Sequence, residues 1–113
     1  MKLRTCINLY EKLNAEVFNH VLYRPAFRAT RSRGEYASYE AWVNTNTGHN
    51  LQGVIYCNLK ELDGSNVYWI IYHEMIHQYV EEFLNVTEED HHGEIFQRNY
   101  NLLKPEGIDN YEF

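Results

Sequence analysis

The chain has 113 residues, 44% of them apolar, enough for one ordinary domain with its own core and too few for two. No apolar run reaches the roughly 18 residues of a membrane-spanning helix, and Met1 to Leu13 lacks the apolar stretch of a signal peptide. A soluble, cytoplasmic single domain over residues 1–113 is therefore expected, and its net charge of −6 argues against a uniformly basic surface.

The first predicted element is a helix. Thr5 can cap it, and Cys6, Leu9, Tyr10, Leu13, Val17 and Val21 recur at helical spacing, so it should run to about Leu22, ahead of Pro25. From Ala26 to Asn58 the pattern changes. Residues Tyr36 to Val43 alternate, and Val54-Ile55-Tyr56-Cys57 is a short β-type run. Three strands are expected at roughly 26–31, 36–43 and 53–58, with turns at Ser32-Arg33-Gly34 and from Asn44 to Gly48. Asp63-Gly64-Ser65-Asn66 then opens a second helix, Val67 to Leu84, apolar in its first turns and acidic at its end. After a polar break from Asn85 to Asp90, a last helix should run from about His91 to Lys104. Ile95, Phe96, Leu102 and Leu103 share its apolar face, and Pro105 stops it. The order is an N-terminal helix, a small three-stranded sheet, a motif helix and a C-terminal helix, an α+β layout.

Cys6 and Cys57 form no CxxC pair and read as buried free thiols. Trp42 and Trp69 read as core residues. Charge is uneven along the chain. Residues 1–60 carry eight Lys/Arg against four acids, whereas residues 61–113 carry two against twelve. The basic half holds Arg24, Arg28, Arg31 and Arg33. These are either solvated charges on strands and turns or a patch making weak nucleic-acid contacts.

Residues 73–77 read His-Glu-Met-Ile-His. On a helix, positions i and i+4 lie one above the other on a single face, so His73 and His77 can reach one Zn²⁺ at about 2.0–2.1 Å. Glu74 projects beside them. It can take the proton of a water acidified by the metal as that water attacks a carbonyl, which is the work of a general base. Composition alone yields this pattern by chance in roughly one such chain in 30, so context must support it. Here the match lies within the strongest predicted helix, follows a strand region and precedes a second histidine pair. A catalytic zinc needs a third protein ligand and an open fourth position. A histidine six residues after His77 is ruled out, because that residue is Phe83. Glu88, Glu94, His91 and His92 remain as candidates. His92-Gly93-Glu94-Ile95-Phe96 stands out among them, since Gly93 lets backbone approach the site and Phe96 anchors the helix.

The two histidine segments together resemble the SprT-like (Spartan-type) zinc metallopeptidase family. That family is similar in pairing an H-E-x-x-H helix with a later H-G-x-x-F/W segment. Leu13-Asn14, Phe18 and Leu22 also look like its opening helix, and Val54 to Leu59 like the strand before its motif helix. The resemblance covers most of the chain, but only the histidine segments are specific. It implies His73, His77 and His92 as zinc ligands, His91 as a neighbour and Glu74 as the catalytic residue of a zincin-like peptidase. No CxxC pair is present, so the zinc ribbon of many bacterial members is missing and a bare catalytic core is expected.

Weaker candidates flank this set. Glu81, one turn beyond His77, either orients that histidine or solvates the helix end. Tyr72, Tyr79 and Tyr100 are either oxyanion stabilisers or packing residues. His20 and His49 carry no assigned role. The function expected is zinc-dependent hydrolysis of peptide bonds in a protein or peptide substrate, with Glu74 as base. The rival is a zinc-stabilised, non-catalytic binding module that contacts nucleic acid through the arginines. Glu74 speaks against the rival, because a purely structural site needs no base.

Overall fold

The computed structural model describes residues 1–31, 34–43, 46–47 and 50–111, together with the backbone but not the side chains of Trp42, Val43, Asn50 and Leu51. Arg33 and His49, parts of both expected turns, and the side chain of Trp42 lie outside the described residues.

Helix α1 spans Leu3–Glu16 and turns Cys6, Tyr10 and Leu13 inward, one per turn. It starts earlier than Thr5 and has no side-chain cap. Thr5 instead donates its backbone N–H to the Lys2 carbonyl within the first turn. It also ends well before Leu22. Asn19 and His20 both adopt left-handed backbone, with φ of 51° and 62°. The Asn14 side chain clasps Leu22 at both its N–H and its carbonyl, at 3.3 and 3.0 Å. Phe18 and Leu22, which resemble positions of the family's opening helix, are buried, but from a folded-back turn. Val21 points outward.

Strands β1 (Ala26–Ala29), β2 (Ala37–Val43) and β3 (Asn50–Cys57) form a mixed sheet in the order β1-β3-β2. β3 lies in the centre, parallel to β1 and antiparallel to β2. The register to β2 shifts between Glu40 and Trp42, a bulge that bends this edge strand. Along β3, Gly53, Ile55 and Cys57 alternate inward. Phe27 of β1 meets Tyr10 of α1 edge-on at 5.4 Å. Cys6 and Cys57 are free, buried and hydrogen-bonded to each other between α1 and β3, as expected of core thiols.

Asp63 opens helix α2 by accepting from the N–H groups of Ser65 and Asn66 at 2.8 and 3.1 Å. Helix α2 spans Val67–Gln78 and is buried nearly all round, as a helix apolar on every side must be. Trp69 is the correction here. It is 42% exposed, because position 69 lies four residues before His73 on the helix face that leaves the core. Beyond Gln78 the helix widens into a π turn, Tyr79–Phe83, closed by Leu84 N–H on the Tyr79 carbonyl, and left-handed Asn85 ends it. Helix α3, Glu94–Leu103, begins three residues after His91 and packs Phe96 and Tyr100 against α2. The protein is thus an α+β domain of three helices and a three-stranded mixed sheet. Among the described residues, no helix is long and apolar enough to cross a membrane.

Candidate metal centre

Two of the three central residues come from one face of α2. His73 and His77 are half-buried in a helix whose other sides are sealed by the core. The third comes from the residues that precede α3. There Asp90 Oδ1 accepts from the His92 N–H at 2.9 Å, and the Gly93 N–H donates to the Asp90 carbonyl at 3.0 Å. Glu88 accepts from the N–H groups of Ile95 and Phe96, at 3.2 and 3.0 Å, and so closes the N-terminus of α3. A Cβ at position 93 would collide with that carboxylate. The glycine therefore makes room for the group that caps the helix.

The Nε2 atoms of His73, His77 and His92 form a nearly equilateral triangle, with sides of 3.1, 3.2 and 3.2 Å. These three residues could hold one metal ion. The fit is good. Tetrahedral metal–nitrogen bonds of about 2.0–2.1 Å imply nitrogen–nitrogen edges near 3.3 Å. Three neutral imidazoles cannot satisfy one another when all present the same atom, since each ring has only one N–H to give. A cation at their focus satisfies all three. Burial above all pushes His73 down to about 4 and His77 to about 3, with neighbouring histidines adding to the shift. Both rings are then neutral near pH 7, the form that binds metal.

Glu74 lies alongside, only 6% exposed. Its carboxyl accepts from the Tyr39 backbone N–H of edge strand β2. Burial first, then the charges of Glu35 and Glu81, raise it to about 8 against that hydrogen bond. A cation beside it would favour the carboxylate instead. Triad and acid open onto a cleft of about 360 Å³ lined also by Ala37, Ser38 and Tyr39. Carbonyl chemistry therefore has donors for a Lewis acid, a base and a wall of edge-strand backbone within one cavity.

The remaining candidates sort themselves by what they touch. His91 is exposed and its ring centre lies 6.4 Å from that of His77, outside the triangle. Glu94 pairs with Arg98 at 2.6 Å on the surface, and Glu88 is the helix cap. Glu81 lines the cleft, where it interacts with His91. The Tyr72 hydroxyl donates to the Tyr100 carbonyl at 2.6 Å in the core, and Tyr79 stacks on Phe83 at 5.0 Å. Both tyrosines are packing residues. The Tyr100 ring reaches to 6.2 Å from His73. Arg24 is paired with Glu11 at 3.2 Å, while Arg28 and Arg31 are exposed.

Two features escaped the sequence reading. One is a polar chain behind the triad. Tyr10 donates to Gln78 Oε1 at 2.8 Å, Gln78 donates to Glu82 at 3.0 Å, and the Tyr39 hydroxyl donates to Glu82. Gly53 leaves space for the Tyr39 ring, since a Cβ there would meet the hydroxyl at 2.6 Å. A glutamine directly after a motif histidine carries no signal of its own. The other is the segment after Pro105. Gly107, with φ of 89°, turns it back, and the Tyr111 ring lies 5.7 Å from His92 and 6.1 Å from His73. Ile108 and Tyr111 beyond a Pro-x-Gly turn were the available hint.

Comparison of the chain with known family models, curated proteins and solved structures finds no match.

Proposed function

We propose that the chain is a zinc-dependent peptidase of the zincin type, similar to the SprT-like metallopeptidases. The observation that carries this reading is the convergence of three imidazole Nε2 atoms beside a buried glutamate in an open cleft. Zinc is the metal best suited to three nitrogen donors and an open position in tetrahedral geometry. When bound there, it supplies Lewis-acid chemistry, polarising a carbonyl and lowering the pKa of water towards ~7.

The chain's own residues do the rest. His73, His77 and His92 hold the ion from two separate elements. Glu74, oriented by the Tyr39 N–H, takes a proton from the attacking water and passes it to the departing amine. β2 is an edge of the sheet and its residues 37–39 line the cleft, so an extended peptide can pair with it through main-chain hydrogen bonds.

The decisive experiment joins metal analysis to a peptidase assay on unfolded proteins. Zinc in the wild type, retained by Glu74→Gln without cleavage, supports the reading. Cleavage that persists in Glu74→Gln overturns it. Zinc with no cleavage by the wild type under any condition favours a non-catalytic zinc module, with nucleic acid at Arg24, Arg28, Arg31 and Arg33 as its partner.

A further inference from the structure

The His73 ring separates two cavities. On one side lies the cleft that contains Glu74, and on the other a second cavity of about 420 Å³. Trp69, one turn before His73 on α2, forms a wall of the second cavity. Tyr100 of α3, Ile108 and Tyr111 form the others. Tyr100 and Ile108 are both 4% exposed and belong to the core.

This cavity is built by specific contacts. Gly107 takes the left-handed backbone that turns the chain back across α3. The Tyr111 N–H donates to Asn101 Oδ1 at 2.7 Å, and Lys104 Nζ donates to the Ile108 carbonyl at 3.3 Å. Tyr68 reaches the Glu106 carbonyl at 3.4 Å from α2. Trp69 on the wall remains 42% exposed, and outside the lining it meets Tyr36, 46% exposed, edge-on at 6.3 Å. Large aromatic side chains left open around a concave site, beside a chemical centre, are characteristic of ligand pockets.

We propose that this second cavity receives an aromatic side chain of the substrate, on a residue next to the amide bond that is cleaved. The proposal rests on the peptidase reading given above. The Tyr111 ring is 6.1 Å from His73. A peptide advances about 3.3–3.6 Å per residue, so a side chain in this cavity belongs to a residue immediately flanking the metal centre. Three aromatic walls offer edge-to-face contacts to a phenyl ring, which aliphatic side chains cannot match. Among the described residues of the lining, Asp109 alone is charged, so a cationic side chain is the competing occupant.

The test uses metal-anchored probes and needs no known substrate. Zinc-loaded protein is titrated calorimetrically with acetohydroxamate, 3-phenylpropionohydroxamate and 5-aminopentanohydroxamate. The phenyl probe should bind about tenfold or more tighter than acetohydroxamate, the gain expected for burying most of an aromatic ring. That ratio should fall below about threefold in Trp69→Ala and in Tyr111→Ala, which lie on separate elements and guard against a folding defect in either. Equal binding of the phenyl probe and acetohydroxamate overturns the proposal, as does a preference for the amino probe or a ratio that both variants keep. If acetohydroxamate fails to bind the zinc-loaded protein at all, the metal has no open position, and the peptidase reading and this inference fall together. If the probes behave as expected but no peptide is cleaved, the aromatic pocket stands and the peptidase reading fails.

Discussion

Gly93 and Glu88 are fitted to each other: the carboxylate that caps α3 occupies the space a β-carbon at position 93 would need. His92 directly precedes Gly93, so the cap fixes where the third imidazole emerges. Glu88→Ala should cost about 0.5–2 kcal/mol of stability through loss of the cap and weaken metal binding about tenfold, as changes behind a ligand commonly do. Gly93→Ala should cost about 1–3 kcal/mol by overpacking. The two effects should not add. With the carboxylate gone, part of the collision disappears, leaving the Asp90 carbonyl at 3.1 Å as the remaining obstacle. A double-mutant cycle by denaturant unfolding measures the difference, and strict additivity contradicts the fitted pair.

One zinc ion per chain is expected in protein purified without chelator, because the described residues provide one cluster of three ligands. A metal bound only by the folded state, at a free concentration 100-fold above Kd, adds about 2.7 kcal/mol. Chelation should therefore lower the melting temperature by on the order of 10 °C, reversibly on zinc addition. An unchanged melt, or metal content that survives the His73→Ala, His77→Ala double change, contradicts the site.

Ligand and base should separate on mutation. His92→Ala should lose zinc and activity together, since it removes a corner of the triangle. Glu74→Gln should keep the metal and lose about 10²–10⁴-fold in rate. Metal analysis and single-turnover cleavage of an unfolded protein report the two quantities independently. Full zinc and full activity in His92→Ala would move the third ligand elsewhere.

Tyr39→Phe removes the hydroxyl that donates to Glu82 while leaving the ring in the space beside Gly53. Glu82 keeps its bond from Gln78 but loses a partner in a half-buried setting. The expected loss is about 1–3 kcal/mol with zinc content intact, read by chemical denaturation and metal analysis. Wild-type stability in this variant shows that the polar chain is slack.

The candidate metal site was easier to read than the boundaries of the elements. His73, Glu74 and His77 declare themselves because fixed spacing on a helix determines which groups meet. His92 came through resemblance, and the triangle of Nε2 atoms brings it to the other two. The C-terminal end of α1 was misread because Val17 and Val21 continue its apolar rhythm while the backbone has already left the helix, and Val21 is exposed. An apolar spacing can be matched by residues that the helix no longer carries. Trp69 was misread by residue type, although its place four residues before His73 already put it on the histidine-bearing side of α2. The pairing of Glu88 with the first turn of α3, and of Glu82 with Tyr39, depends on how distant segments meet, which no local pattern encodes.

Gln78 is fully enclosed, and its amide is shared among Tyr10, the Tyr23 carbonyl and Glu82. Two apolar helix faces can slide past each other by a turn and lose little, because hydrophobic attraction has no direction. Sliding α2 along α1 would instead strand a buried amide, at about 1–3 kcal/mol for each group left without a partner. The glutamine thus acts as an index mark that penalises every wrong seating of the helix. His73 and His77 ride on that same helix, so the axial and angular setting of two of the three converging nitrogens is decided on its neighbouring face, by a side chain outside their triangle.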